Sequence, residues 1–291
     1  MSRTFLPMAW LAGLFLAAAV NRSSVAAESN SAAQLRVMTF NLRYASTNAP
    51  NAWSARRPVM RECLQKAVPD LIGTQEGLYP QLKDIAADLP DYAWIGTGRD
   101  GGSRGEFMAI FYRKDRFEPM EFDHFWLSDT PSVVGSTTWG NRNRRMVTWV
   151  RFLDKTAGRE FYFVNTHLDH EIQLAREKAA TLIRERIEAL RAQIPVLLVG
   201  DFNAAAGANK AYEILTDGGF LTDTWTSAQE RRNENISSFH DFRGPRAGAR
   251  IDWILTRGPV DALATEILTC AENGQYPSDH FPVMTWMRWR D

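Results

Sequence analysis

Pro195-Val196-Leu197-Leu198-Val199-Gly200-Asp201-Phe202-Asn203 reads as a buried strand that ends in polar groups. Pro195 closes a long polar helix pattern. The run 196–199 is apolar on both faces, so it suits a strand covered from both sides. Gly200 releases the backbone. Side chains two residues apart on an extended chain point the same way, so Asp201 and Asn203 converge at the strand mouth. Taken alone, Asp-x-Asn is a common way to end a strand in a turn. Other strand ends in this chain carry the same kind of polar cargo, and that changes the reading.

Upstream, residues 35–41 form an apolar strand ending on Asn41. A helix pattern follows over 56–68, with Pro58 in its first turn and Pro69-Asp70 as its stop. The strand 71–76 ends on Glu76, a residue seldom buried unless it is paired or binds a cation. A helix over 79–89 and a short strand over 92–95 lead to a glycine-rich loop, 96–105, that carries Arg99 and Arg104. Glu106 opens a strand over 107–112, and 117–127 alternates as another. The loop 128–144 is rich in Arg and aromatics, which marks a functional loop. Arg145 opens the strand 146–152.

The strand 161–167 places Asn165 and His167 on one face, and Asp169 and His170 follow at once. The longest helix pattern runs over 171–191. A short helix near 210–215 comes after Asn203. Residues 251–255 form a strand that buries Asp252 in an apolar run. Ser278-Asp279-His280 precedes the last strand, 281–289. An Asp-His pair before a strand can be an ordinary loop; it also fits an imidazole oriented by a second carboxylate. Strands and helices mix without strict alternation. The pattern predicts two stacked, mostly antiparallel sheets flanked by helices, with the polar strand ends gathered at one rim.

The N-terminus has a basic start, an apolar run over 5–20 and a small-residue end, Val25-Ala26-Ala27. This predicts a signal peptide over 1–27 and one exported domain over 28–291, periplasmic or secreted and monomeric. The apolar run is short for a membrane span, and no later segment qualifies. Thirty-four basic and 34 acidic residues balance, so no polybasic surface advertises nucleic acid or acidic lipid. The two cysteines, Cys63 and Cys270, are too few for a disulfide framework, and the reading favours two buried thiols.

Six motifs in order resemble the endonuclease/exonuclease/phosphatase superfamily, deoxyribonuclease-like. They are Thr39-Phe40-Asn41, Gln75-Glu76, Asn165-Thr166-His167, Gly200-Asp201-Phe202-Asn203, Arg250-Ile251-Asp252 and Ser278-Asp279-His280. Each alone is weak; all six in order are specific and span nearly the whole mature chain. The Gly98-Arg99 and Trp126-Leu127-Ser128 segments look most like exported bacterial members, distantly similar to the deadenylase-like branch. The resemblance implies a four-layer α/β/β/α sandwich. It implies Mg²⁺, for which Mn²⁺ can substitute, held by Glu76 with Asn41 beside it, and with Asp279 on metal or water. It implies His280 as the base that activates water, oriented by Asp252. Asp201 and Asn203 would position the nucleophile and a phosphoryl oxygen. His167, partnered by Glu106, would donate to the phosphate, as would Arg145, with Asn165 on the same face.

The expected activity is Mg²⁺-dependent hydrolysis of phosphate esters, with diester cleavage first. A phosphomonoesterase or a phospholipase-type enzyme, acting on inositol phosphates or sphingomyelin-like lipids, shares the same toolkit. Neutral net charge argues mildly against a long nucleic-acid groove. A non-catalytic binding module of this fold would have lost one of Glu76, Asp201, Asn203, Asp252 or His280. All five are present.

Overall fold

The computed structural model describes residues 1–2 and 34–290; the expected signal peptide lies almost wholly outside them. The chain opens with β1 (Gln34–Asn41), α1 (Trp53–Ala67), β2 (Leu71–Gln75), β3 (Gly77–Leu78) and α2 (Tyr79–Asp88). Then come β4 (Tyr92–Ile95), β5 (Glu106–Phe107), β6 (Ile110–Arg113), β7 (Phe117–Trp126), β8 (Met146–Asp154) and β9 (Arg159–His167). The second half holds α3 (Gln173–Glu188), β10 (Val196–Asp201), α4 (Lys210–Thr216), β11 (Thr222–Asp223), α5 (Thr224–Ser227) and β12 (Glu230–Arg232). β13 (Asp252–Arg257), β14 (Val260–Ile267) and β15 (Val283–Trp289) complete it.

Two sheets carry the fold. One has the order β12-β14-β15-β1-β2-β6-β4, the other β11-β13-β10-β9-β8-β7. Most neighbours are antiparallel; β1–β2, β9–β10 and β12–β14 are parallel. The period-2 alternation of the strands builds the layers. In β1, Leu35 and Val37 enter the core between the sheets, while Met38 and Phe40 face Met60, Leu64, Leu82 and Ile85 of α1 and α2. In β10, Leu197 and Val199 enter the same central core, while Val196 and Leu198 face Ala179, Ile183 and Ile187 of α3. Both strands are buried on both faces because each sheet has a helical layer outside. The result is the expected four-layer sandwich.

Two glycines mark where backbones touch. A Cβ on Gly73 would lie 2.3 Å from Val199 Cγ2, across the sheet interface. A Cβ on Gly200 would lie 2.3 Å from the carbonyl oxygen of Thr166, its register partner on β9. Gly200 is therefore required by close approach of the neighbouring strand, not by a release of the backbone.

Three expectations need correction. The single strand over 107–112 is two strands: β5 pairs with β3, and β6 pairs with β2 and β4. Between them the Ala109 carbonyl accepts from Thr74 N, Thr74 Oγ1 and Asn165 Nδ2, so side-chain donors break the ladder. β14, for which the sequence reading has no element, pairs antiparallel with β15 across a bulge at Ala262/Ala264. Cys63 and Cys270 are not free thiols. They form a disulfide with Cα atoms 5.7 Å apart, inside bonding range, because α1 packs beside the segment that follows β14.

Candidate active site

Topology brings the polar strand ends together. Parallel β1 and β2 end on the same rim, as do parallel β9 and β10. β13 runs antiparallel to β10, so it starts where β10 ends, with Asp252 opposite Asp201. β15 runs antiparallel to β1, so the segment entering it carries Asp279 and His280 to that rim as well. A cleft of about 470 Å³ opens there, and Glu76, His167, Asp201, Asn203, Asp279 and His280 all line it.

The centre is a chain of short polar contacts. His280 Nδ1 is 3.0 Å from Asp252 Oδ2, and its Nε2 is 3.8 Å from Asp201 Oδ2. Asn41 Nδ2 bridges two carboxylates, donating to Asp201 Oδ2 at 2.9 Å and to Glu76 Oε1 at 3.0 Å. Asn203, in the left-handed region at φ 48°, donates its backbone N–H to Asp201 Oδ1 and places Nδ2 3.0 Å from His167 Nε2. Glu76 is also left-handed, at φ 61°, an uncommon conformation for a residue with a side chain. That kink follows β2 directly and turns the carboxylate into the cleft. Ser278 Oγ donates to the Asn41 carbonyl and accepts from His280 N, which ties the two strand ends.

The electrostatics follow from burial among like charges. Burial, then the charge of Asp252, push the Asp201 carboxyl up to about 7. Burial lifts Asp279 above the usual carboxylate range. Burial alone would lower His280, but the charges of Asp252, Asp201 and Asp279 outweigh it and raise it to about 10. Burial, reinforced by the charges of Arg145 and Arg99, holds His167 well below its usual range. Asp201 and His280 thus titrate in each other's field, with His280 Nε2 3.8 Å from Asp201 Oδ2.

The rim also holds residues outside the six motifs. Arg43 lies 3.8 Å from Glu76 Oε2 and 3.6 Å from Asp279 Oδ2, so one guanidinium bridges both carboxylates. Arg99, Asn143, His170 and Phe239 also face the cleft. Arg43 directly follows Leu42 after the β1 motif, a signal that its neighbourhood could have given. Phe239 bridges to His280 from a loop with no motif of its own.

Two expected residues are placed differently. Asn165 does not reach the cleft. Its Oδ1 accepts from Gln75 Nε2 at 2.7 Å, and its Nδ2 donates to the carbonyls of Thr74 and Ala109. It shares a face with His167 but lies two residues deeper, so its amide is spent between the sheets. Glu106 lines the cleft, yet its partner is Arg99 at 2.6 Å, not His167.

The donor chemistry suits a hard divalent cation, with carboxylates and an amide at one rim. Glu76 and Asp279 converge on one guanidinium, and Asn41 joins Glu76 to Asp201. Asp201, Asp252 and His280 form a tighter group among the described residues, their nearest polar atoms within 4.8 Å. Asp252 and the His280 Nδ1 are already engaged with each other, so this second group suits proton handling better than ligation.

The model of the endonuclease/exonuclease/phosphatase family matches residues 38–280. The chain belongs to this family. Its members are hydrolases of phosphate esters, and the motifs that run from Asn41 to His280 fall inside the matched residues. This family member is similar to an endonuclease/exonuclease/phosphatase family protein from Bacteroides thetaiotaomicron. Identity is 34%, with a TM-score of 0.83 over 88% of this chain and 98% of that one. It is also similar, at 34% identity and a TM-score of 0.81, to the mannosyl-6-phosphatase of Bacteroides thetaiotaomicron VPI-5482. That match covers 88% of this chain and 100% of that one. An uncharacterized protein of Acanthamoeba polyphaga mimivirus is 29% identical over 160 residues, 52% of this chain. The match spans 59% of that viral protein's length.

Proposed function

We propose that this family member is a divalent-metal-dependent phosphomonoesterase that hydrolyses small phosphate esters. The observation that carries the reading is the His280–Asp252 pair aimed at Asp201, in a cleft that Arg43, Arg99 and Arg145 also line. One wall handles protons, and the others hold anions. A monoester near neutral pH carries close to two charges and three terminal oxygens, which three guanidiniums can serve. Neutral net charge supports a small substrate over a polymer. The likeness to a mannosyl-6-phosphatase over that protein's full length points to sugar phosphates as the first compounds to test.

In this mechanism His280 Nε2 takes the proton from the attacking water. Asp252 holds the ring by Nδ1 and stabilises the imidazolium that forms, a contribution of about 10² to 10⁴ in rate. Asp201 and Asn203 position the water and a phosphoryl oxygen. His167 and Arg145 donate to the oxygens on which charge builds. Glu76, with Asn41 and Asp279, would hold Mg²⁺ or Mn²⁺. When bound, that cation supplies positive charge that offsets the cleft carboxylates and the charge developing on the phosphoryl oxygens. His280, raised against burial by Asp252 and Asp201, accepts a proton only in its neutral form, so turnover should rise with pH on the acid side.

The Cys63–Cys270 disulfide supports the export read from the N-terminal sequence, since disulfides persist in oxidising compartments.

The test is a hydrolysis panel of 4-nitrophenyl phosphate, bis(4-nitrophenyl) phosphate, sugar 6-phosphates, inositol phosphates, sphingomyelin and nucleic acid. It is run with Mg²⁺, Mn²⁺ or EDTA. Monoester turnover that EDTA abolishes and His280→Ala removes is the expected result. Diester cleavage, the first expectation from the sequence, uses the same pair and is the competing outcome. Metal-independent turnover, or wild-type rates in His280→Ala, would overturn the mechanism.

A further inference from the structure

We propose that Arg99 is a specificity-determining residue. With Arg145 it forms a two-guanidinium seat that accepts a phosphate monoester dianion in preference to a diester monoanion. The inference rests on the phosphomonoesterase reading and assigns the choice of ester to one side chain.

The loop that carries Arg99 is built to hold it still. Gly98 N donates to the Gly102 carbonyl, Arg99 N to that of Glu106, and Arg104 N to that of Gly101. A Cβ on Gly98 would lie 1.9 Å from the Arg104 carbonyl oxygen, so this turn closes only over glycine. From outside the loop, Trp126 Nε1 donates to the Arg99 carbonyl at 2.8 Å. Arg144 reaches Asp100 at 3.1 Å and the Gly135 carbonyl at 2.8 Å, locking this loop to the one over 128–144. A surface loop with no task has no need of this bracing.

The side chain is aimed with the same care. Arg99 Nη1 is 2.6 Å from Glu106 Oε2, and Nη2 is 3.4 Å from Asn143 Oδ1. These contacts orient the guanidinium plane and leave its other N–H groups free for the cleft that Arg99 lines. Arg145 enters the same wall from the start of β8. It is 4% exposed, its Nη2 is 3.1 Å from His170 Nδ1, and its buried Nε has no hydrogen-bond partner among the described residues. Arg99 and Arg145 repel each other, since the charge of Arg99 is among those that lower Arg145 after burial. Burial pushes Glu106, the carboxylate beside them, up to about 7, so near neutral pH it offsets only part of that positive charge, and Asp169 Oδ2, 3.7 Å from Arg145 Nε, is the second counter-ion. Each guanidinium has a carboxylate beside it, Glu106 for Arg99 and Asp169 for Arg145, and the N–H groups left over at the cleft suit an anion with several acceptor oxygens.

Ester chemistry then decides which anion. A monoester offers three terminal oxygens and nearly two charges; a diester offers two and one. The second ester group would turn a charged terminal oxygen into an uncharged bridging oxygen that carries carbon, a much poorer acceptor for Arg99. Sites built to hydrogen-bond a group reject analogues that lack it.

The experiment compares kcat/KM for 4-nitrophenyl phosphate and bis(4-nitrophenyl) phosphate in wild type, Arg99→Gln and Arg99→Lys, with Mg²⁺ present. Inorganic phosphate serves as a competing dianion. Arg99→Gln should lose about 30- to 100-fold on the monoester and at most about 3-fold on the diester. The inhibition constant for phosphate should rise in parallel. Arg99→Lys, which keeps charge without the fork, should fall between. Melting temperatures establish that each variant is folded. Arg104→Gln, in the same loop but outside the cleft, should keep the wild-type ratio of the two substrates. Equal losses on both substrates, or wild-type monoester kinetics in folded Arg99→Gln, would overturn the proposal. If wild type cleaves only the diester, the phosphomonoesterase reading fails by itself. The seat is then judged on phosphate inhibition of that diester reaction, and an unchanged constant in Arg99→Gln overturns it too.

Discussion

Asp252 Oδ2 and His280 Nδ1 lie 3.0 Å apart, although Asp252 opens β13 in one sheet and His280 belongs to the segment that leads into β15 of the other. Each backbone is pinned by a serine. Ser238 Oγ accepts from the N–H groups of Ile251 and Asp252, and Ser278 Oγ accepts from that of His280 while donating to the Asn41 carbonyl. The pair is therefore set by the backbone on both sides before any ligand arrives. The free Nε2 faces Asp201, which places the proton-accepting atom at the cleft.

This arrangement predicts the pH dependence of stability in the chelated protein. The folded state raises His280 from its ordinary value to about 10, against burial, through Asp252, Asp201 and Asp279. A raised group binds its proton more tightly when folded. Its stabilisation is full below the unfolded value of about 6.5 and is lost as pH rises toward about 10. In EDTA the melting temperature should fall from about pH 7 to 9.5, and His280→Gln should flatten that slope. A melting temperature that rises across this window would refute the assignment.

Glu76→Gln should separate metal response from folding. The amide retains an oxygen to accept from Asn41 Nδ2 and removes one charge beside Asp279. Melting temperature in EDTA should hold or rise, because the variant relieves like-charge repulsion. Stabilisation on titrating Mg²⁺, which grows with the logarithm of ligand over Kd, should largely disappear. A large loss of stability with an unchanged Mg²⁺ titration would mark Glu76 as structural.

Asn165→Ala should be a stability variant. It removes the shortest of the three contacts of Gln75 Nε2 and the side-chain donor to the buried carbonyls of Thr74 and Ala109. Unmade bonds at buried groups cost about 1–3 kcal/mol each, so the total should be roughly 2–5 kcal/mol in denaturant unfolding. At a temperature where the variant is folded, kcat should remain within about 3-fold of wild type. A large loss of kcat without loss of stability would return Asn165 to the substrate.

These contrasts show what was legible in the sequence. Alternation in β1 and β10 specifies two buried faces, so the layered fold could be read from Val37, Met38, Leu197 and Leu198. Asp201, Asp252 and His280 were legible because polar residues at the ends of apolar strands have few structural reasons to exist. Depth was not legible. Asn165 and His167 share a face, but one step of two residues along a strand is over 6 Å, enough to move an amide from the rim into the interior. Partners were not legible either. Glu106 chooses Arg99 because the loop over 96–105 folds back on β5, a contact set by turns rather than periodicity. The bond between Cys63 and Cys270 joins positions 207 residues apart, beyond any local pattern.

That disulfide should be worth roughly 2–5 kcal/mol, since it closes a very long loop in the unfolded chain. The double variant Cys63→Ala, Cys270→Ala should lower the denaturant midpoint accordingly and raise the slope, since the unfolded chain without the bond is more expanded. Reduction of wild type should reproduce the shift, and the variant should be indifferent to reductant. An unchanged midpoint in the double variant would show that the bond is thermodynamically idle.

The last prediction concerns Arg56, a fully buried cation on α1 that touches no carboxylate side chain by hydrogen bond. Its guanidinium donates to five carbonyls: Asn51, Leu42, Arg43, Tyr44 and Pro277, at 2.8–3.1 Å. Burial lowers it to about 10, so it stays charged at neutral pH. These carbonyls belong to the loop that follows Asn41 and to the segment that delivers Asp279 and His280. Arg56 thus joins the two chain segments that must keep Asn41, Asp279 and His280 in register. Lysine brings the same charge but only three donors on a single nitrogen, so Arg56→Lys must orphan at least two carbonyls. Each orphan costs about 1–3 kcal/mol if it stays buried, and the loops can avoid that only by moving. Arg56→Lys should therefore lower kcat by about 10-fold or more, with a smaller change in KM, because a shift of about 1 Å in the reacting groups is enough. Arg57→Lys, one residue along and paired to Asp84 and Asp88 at the surface, controls for a general effect on α1. Equal kinetics in the two lysine variants, with Arg56→Lys folded, would show that the loops hold their register without Arg56.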